Sequence, residues 1–253
     1  MFRRLLCLLL ACTLLPMGAR AQFAADTSTF RATQLIAPSV LIGSGLAVHY
    51  FAHESIDAGV RELLRPDGFG GVPVYDIGTW IEYGSPVVYY GAGLLGAASR
   101  HAFVDRAIQG TVSYACAASV GFVAKRLFNT LRPDGSDLHS FPSGHTTMVF
   151  TSAELMRYEY GNLWGAGFYV LAAGTAAERV LSDRHWLSDV VAGAGLGILS
   201  AHVGRWLLNP VKSLFGIPDL SWDGLSTRSA QVAVLPSFDA LSGTPTLGVS
   251  VGF

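Results

Sequence analysis

Residues 165–208 read GAGFYVLAAGTAAERVLSDRHWLSDVVAGAGLGILSAHVGRWLL. Two small-residue apolar stretches, 165–182 and 187–208, flank a short polar break, and Arg179, His185 and Asp189 lie in or beside it. Glycine weakens an isolated helix, but small residues let helices approach closely, above all in a bilayer. Apolar stretches of helical length recur at 34–51, 77–98, 107–124 and 144–159, without the usual strand punctuation between them. The expected fold is all-α, an up-and-down bundle of about six helices. Gln231 to Leu235 and Thr246 to Phe253 alternate or favour strand, which adds a short C-terminal β-hairpin. The expected division is 1–21 signal peptide, 22–210 helical domain and 211–253 tail.

Of the 253 residues, 51% are hydrophobic and 14% charged, where a soluble domain carries about 25% charged residues. That balance, with a mean hydropathy of +0.40, excludes intrinsic disorder. A net charge of -1 excludes a nucleic-acid binder held by a basic surface. What remains is an apolar globule or a protein that meets a membrane.

Arg3 and Arg4, the apolar run Leu5 to Leu15 and Ala19-Arg20-Ala21 have the order of a secretory signal cleaved after Ala21. An uncleaved anchor is the alternative, and Leu9-Leu10-Ala11-Cys12 is a weaker lipidation signal. Export is therefore expected, and of three cysteines only Cys116 survives cleavage, in an apolar setting that reads as packing.

Three polar clusters interrupt the apolar pattern: Lys125 with Arg132-Pro133, Pro142-Ser143-Gly144-His145, and Arg179 with His185 and Asp189. Two helices separate the second cluster from the third, so an up-and-down bundle brings all three to one end. Lys and Arg supply donors for a phosphate dianion, Arg bidentately. Pro142-Ser143-Gly144 opens a helix, offering backbone N–H groups and a positive dipole end. His185 and Asp189 stand four apart on one helical face, so the carboxylate fixes the imidazole tautomer and leaves the other nitrogen for the substrate. Such a histidine can attack phosphorus while His145 protonates the leaving oxygen. The scheme needs no metal or other cofactor, because the cations neutralise the developing charge.

These motifs resemble those of the type 2 phosphatidic acid phosphatase superfamily, which also includes bacterial class A acid phosphatases and vanadium haloperoxidases. Lys125-x6-Arg132-Pro133, Pro142-Ser143-Gly144-His145 and Arg179-x5-His185-x3-Asp189 match its three-part signature, and the likeness covers roughly 77–208. The resemblance implies phosphate ligands Lys125, Arg132, Ser143, Gly144 and Arg179, with His145 as general acid, His185 as nucleophile and Asp189 as its orienting partner. It implies a phosphatase acting on a phosphate monoester or diphosphate, with a lipid as its partner. A soluble acid phosphatase and a haloperoxidase are the alternatives. Glu178 departs from the pattern, standing where the family has Ser, and either weakens Arg179 as a ligand or points away.

Lesser candidates are His49 and His53, four apart, read as packing in preference to a metal pair; His139, in a loop bordering the site; and Trp80, Tyr83, Tyr89 and Tyr90, a lipid-facing wall or core. The resemblance also implies a site on the outer face of the membrane. After a cleaved signal, however, spans at 34–51, 77–98 and 107–124 would leave Lys125 in the cytoplasm. One segment must then fail to span, 34–51 first because Pro38 and His49 interrupt it, or none spans.

Overall fold

The computed structural model describes residues 30–64 and 77–218, and the backbone of 231–239 and 244–252. The expected signal peptide lies outside these residues. Helix α1 (Ile36–Phe51) follows a 3-10 turn, Ala32–Leu35, and leads through a π-helical turn, His53–Asp57, into the short α2 (Ala58–Leu64). Then come α3 (Ile77–Gly91), α4 (Phe103–Phe128), α5 (Gly144–Tyr160), α6 (Asn162–Leu181), α7 (Leu187–Trp206) and the short α8 (Leu208–Phe215). Each of the six apolar stretches contains a helix, the one in 77–98 ending at Gly91, and the described residues of the unit ending at Ile217 are all-α. A second unit runs from Pro218 to Phe253, the part of the chain where the hairpin is expected.

Contacts at the helix ends give the directions. The segment leading into α1 lies beside the end of α7, where Phe30 meets the Trp206 ring at 5.1 Å and Trp206 Nε1 donates to Gln34 Oε1 at 2.9 Å. α1 finishes at the opposite end, where the His49 ring is 4.7 Å from that of Phe141. α3 begins at that second end, with Thr79 against His145, and finishes with the Tyr89 hydroxyl donating to the Arg106 carbonyl. α4 then returns, until a Cβ built on Gly144 would lie 3.9 Å from Lys125 Cε. Thus α1, α4 and α6 run toward one end, α3, α5 and α7 away from it. The junctions 129–143 and 182–186 collect there.

α7 is the axis of the bundle, packed against α1, α4 and α5. Its glycines permit this: a Cβ at Gly193 would stand 2.8 Å from the Ser143 carbonyl, and one at Gly195 would stand 2.8 Å from that of Pro38. The apolar core lies between α3, α5, α6 and α7, around Tyr89, Leu155, Met156, Phe168 and Ala201.

By length and hydropathy three stretches qualify as membrane spans: Ala32–Phe51, Phe103–Phe128 and Leu187–Trp206. Ala32–Phe51 is thus among the candidate spans, although 34–51 is the segment first expected to drop out. Pro38 falls in the first turn of α1, where a helix has no N–H bond to lose, and His49 packs against Phe141. Stretch 77–98 is the one shortened, since α3 rises only about 22 Å over its length.

Only 11% of the first stretch and 28% of the second are buried in the bundle, against 72% of the third. The apolarity of α7 is accounted for by helix packing, whereas α1 and α4 keep apolar outer faces that a bilayer would cover. The protein is membrane-associated. The aromatic cluster of α3 divides accordingly, with Trp80 and Tyr83 facing outward and Tyr89 in the core.

Candidate active site

α4 ends at Asn129, whose left-handed φ of 49° stops the helix just after Lys125. Lys125 Nζ donates to the His139 carbonyl at 2.6 Å, closing the loop over the helix end. Within that loop Arg132 Nε lies 2.9 Å from both oxygens of Asp137. Slight burial would raise the Asp137 carboxyl, but its hydrogen bonds from Arg132 and the His139 N–H outweigh this and hold it below the ordinary carboxylate range. Arg132 Nη1 donates to the Arg184 carbonyl at 3.0 Å and lies 3.4 Å from His185 Nε2.

Ser143 caps α5, its Oγ accepting from Thr146 N at 3.5 Å and Thr146 Oγ1 at 3.0 Å. Its own N–H donates to the Asp189 carbonyl at 3.1 Å, joining the second motif to the third. Arg179, buried in the last turn of α6, accepts at its carbonyl from the N–H groups of Arg184 and His185, each at 3.1 Å. Asp183, with φ 62°, makes the turn. Glu178 does not point away from Arg179: its Oε2 is 3.5 Å from Arg179 Nη1.

His185 is 2% exposed. Burial pulls its pKa from 6.5 to about 4, opposed by the hydrogen bond and charge of Asp189. Its Nδ1 faces Asp189 Oδ2 at 3.4 Å, so the carboxylate assigns the proton to Nδ1 and the lone pair to Nε2, the nitrogen facing Arg132. Asp189 Oδ2 also accepts from Trp186 N at 2.9 Å and from the Ser140 hydroxyl.

His145 Nε2 is 2.9 Å from Thr79 Oγ1 and 3.2 Å from Glu82 Oε2, both on α3. The structure therefore gathers Lys125, Arg132, Ser143, Gly144, His145, Arg179, His185 and Asp189 at one end of the bundle. Thr79, Glu82 and Ser140 join them from outside any motif. Only Glu82 carried a signal, as the one acidic residue within 77–98. His139 borders the site through its backbone, and its ring is 3.8 Å from Asp137. His53 bonds Asp57, and among the described residues no three His, Cys, Asp or Glu side chains gather to hold a metal ion.

The helical bundle and this cationic, histidine-bearing end define a class. Residues 107–212 match the PAP2 superfamily model. Over 86 residues it is 42% identical to a lipid A 1-phosphatase of Porphyromonas gingivalis, a match covering 33% of this chain and 19% of that protein. The chain thus spans about a fifth of the length of that curated relative. Among solved structures, LpxE of Aquifex aeolicus gives a TM-score of 0.45 at 21% identity, covering 58% of this chain and 93% of that one. A PAP2 type phosphatidylglycerolphosphate phosphatase of Bacillus subtilis gives 0.47 at 21% identity, covering 73% and 99%.

Proposed function

We propose that this chain is a phosphatase that cleaves a phosphate monoester or diphosphate carried on a lipid, through a phosphohistidine, on the outer face of a membrane. The observation that carries the reading is the His185 ring, with Nδ1 on buried Asp189 and Nε2 turned to Arg132. The superfamily match supports the class of reaction. The name of the Porphyromonas gingivalis relative and the lipid-facing α1 and α4 support a lipid as the carrier. The outer face follows from the family resemblance.

Lys125, Arg132 and Arg179 hold the non-bridging phosphate oxygens, together with Ser143, Gly144 and the positive start of α5. The His185 Nε2 lone pair attacks phosphorus, and the bond to the leaving oxygen breaks. His145, as imidazolium, gives that oxygen its proton, with the Glu82 carboxylate 3.2 Å from its Nε2. Water then attacks the phosphohistidine, giving its proton to His145 as the P–N bond breaks, which restores both rings and releases phosphate.

Trapping tests the reading. Radiolabelled lipid phosphate, quenched under conditions that preserve phosphohistidine, is expected to label the wild type and leave His185→Ala unlabelled. Label that persists in the variant removes His185 as nucleophile.

A further inference from the structure

The segment 53–61 makes contacts that the phosphatase reading does not use. Asp57, at the end of the π-helical turn, is 1% exposed. Its Oδ1 accepts the Ser188 N–H at 2.8 Å, and its Oδ2 accepts the Ser188 hydroxyl at 2.6 Å and lies 2.9 Å from His53 Nδ1. Ser188 is the second residue of α7, and Asp189 follows it.

The start of a helix leaves N–H groups unmet, and Trp186, at the cap position, is a poor capping residue. Two carboxylates meet that need. Asp189 takes the Trp186 N–H at 2.9 Å from within the helix, while Asp57 takes the Ser188 N–H from 131 residues away. Neighbouring contacts secure the same turn. Arg61 binds Asp183 through Nε and Nη2, each at 2.7 Å, and its guanidinium lies 5.9 Å from the Trp186 ring. The His53 ring meets Trp186 at 4.6 Å. One short segment thus grips the chain on both sides of His185.

The dyad has little slack. His185 Nδ1 and Asp189 Oδ2 already stand 3.4 Å apart, at the long end of a hydrogen bond, so a small shift of the helix start separates them. We propose that Asp57 is a positioning residue for phosphoryl transfer: by closing the start of α7 from outside, it holds Asp189 where its carboxylate orients His185. This rests on His185 as the nucleophile.

The test uses the full chain in detergent, with phosphate release from a lipid phosphate and the thermal midpoint both measured. Asp57→Ala is expected to lower kcat about 10- to 100-fold, because a displacement near 1 Å at the reacting group costs that much, with KM within about twofold. Asp57→Ala combined with Asp189→Asn is expected to be no slower than Asp189→Asn alone, since the first change acts through Asp189. A double variant slowed by the product of both losses overturns the proposal, as does an Asp57→Ala enzyme within twofold of wild type.

If Asp57→Ala does not fold, Ser188→Ala removes only the hydroxyl bond. Its kcat is expected to fall severalfold, and an unchanged kcat overturns the proposal. Nitrogen-15 NMR of His185 needs no turnover. The Nδ1 shift that reports its bond to Asp189 should change in Asp57→Asn and Ser188→Ala, and identical shifts overturn the positioning role. An inactive wild type with altered shifts in these variants would instead sink the phosphatase reading alone.

Discussion

With the His185 ring almost sealed from water, little is available to solvate a positive charge on it, so burial lowers its pKa to about 4 although Asp189 pulls the other way. The unfolded chain takes up this proton near 6.5. Between the two values the unfolded state binds more protons, so the contribution of His185 to stability is full above about 6.5 and is lost as pH falls toward 4. The same shift keeps Nε2 unprotonated and nucleophilic at pH 5. A nitrogen-15 titration of the imidazole is expected to give a midpoint near 4, and Asp189→Asn, which removes the group pulling it upward, should lower it further. A wild-type midpoint at or above 6.5 would refute the assignment. At this scale the motif residues were legible from spacing alone. The pairing of His145 with Glu82 and Thr79 was not, because those two residues lie more than 60 positions before it and no local period links α3 to α5.

Among the elements, the meeting of α5 and α7 decides whether the site exists. The Ser143 N–H reaches the Asp189 carbonyl only because the two helix starts lie side by side. Gly193 allows this, since a Cβ there would stand 2.8 Å from the Ser143 carbonyl and 3.3 Å from Thr146 Cβ. Gly193→Ala is therefore expected to destabilise the protein by about 1–3 kcal/mol through overpacking, read as a lower thermal midpoint in detergent, with a loss of phosphate release. An unchanged midpoint would show that the two helices do not pack this closely. The run of small residues at 192–197 signalled close packing in the sequence, but not which glycine met which neighbour. That depends on how α7 is rotated among three partners.

For the whole molecule, the helix directions constrain topology more firmly than hydropathy does. α1 and α4 both run toward the site, so α3, though short for a span, must be the return path. Residue 30 and the site then lie on opposite faces of any membrane that α1 and α4 cross. A cut after Ala21, a spanning bundle and an outer site cannot all hold, because three passes separate residue 30 from Lys125. With the site outside, a cysteine placed at Ser136 is expected to react with an impermeant maleimide in intact cells, and one at Thr33 only after lysis, in a chain with Cys7, Cys12 and Cys116 replaced. Reaction of both in intact cells would refute a spanning bundle with its site outside.

The sequence by itself determined the class of fold, the six long helices and the residues of the cationic end. Apolar stretches of helical length and motif spacing are properties of the chain read one turn at a time. Tertiary structure alone decided which helix is the axis, which apolar faces meet lipid, that Glu82 stands beside His145, and that Asp57 closes the helix carrying Asp189. Each of these is a contact between segments far apart in the chain. Its free energy depends on how the helices are rotated and directed, and no local pattern of residues records that.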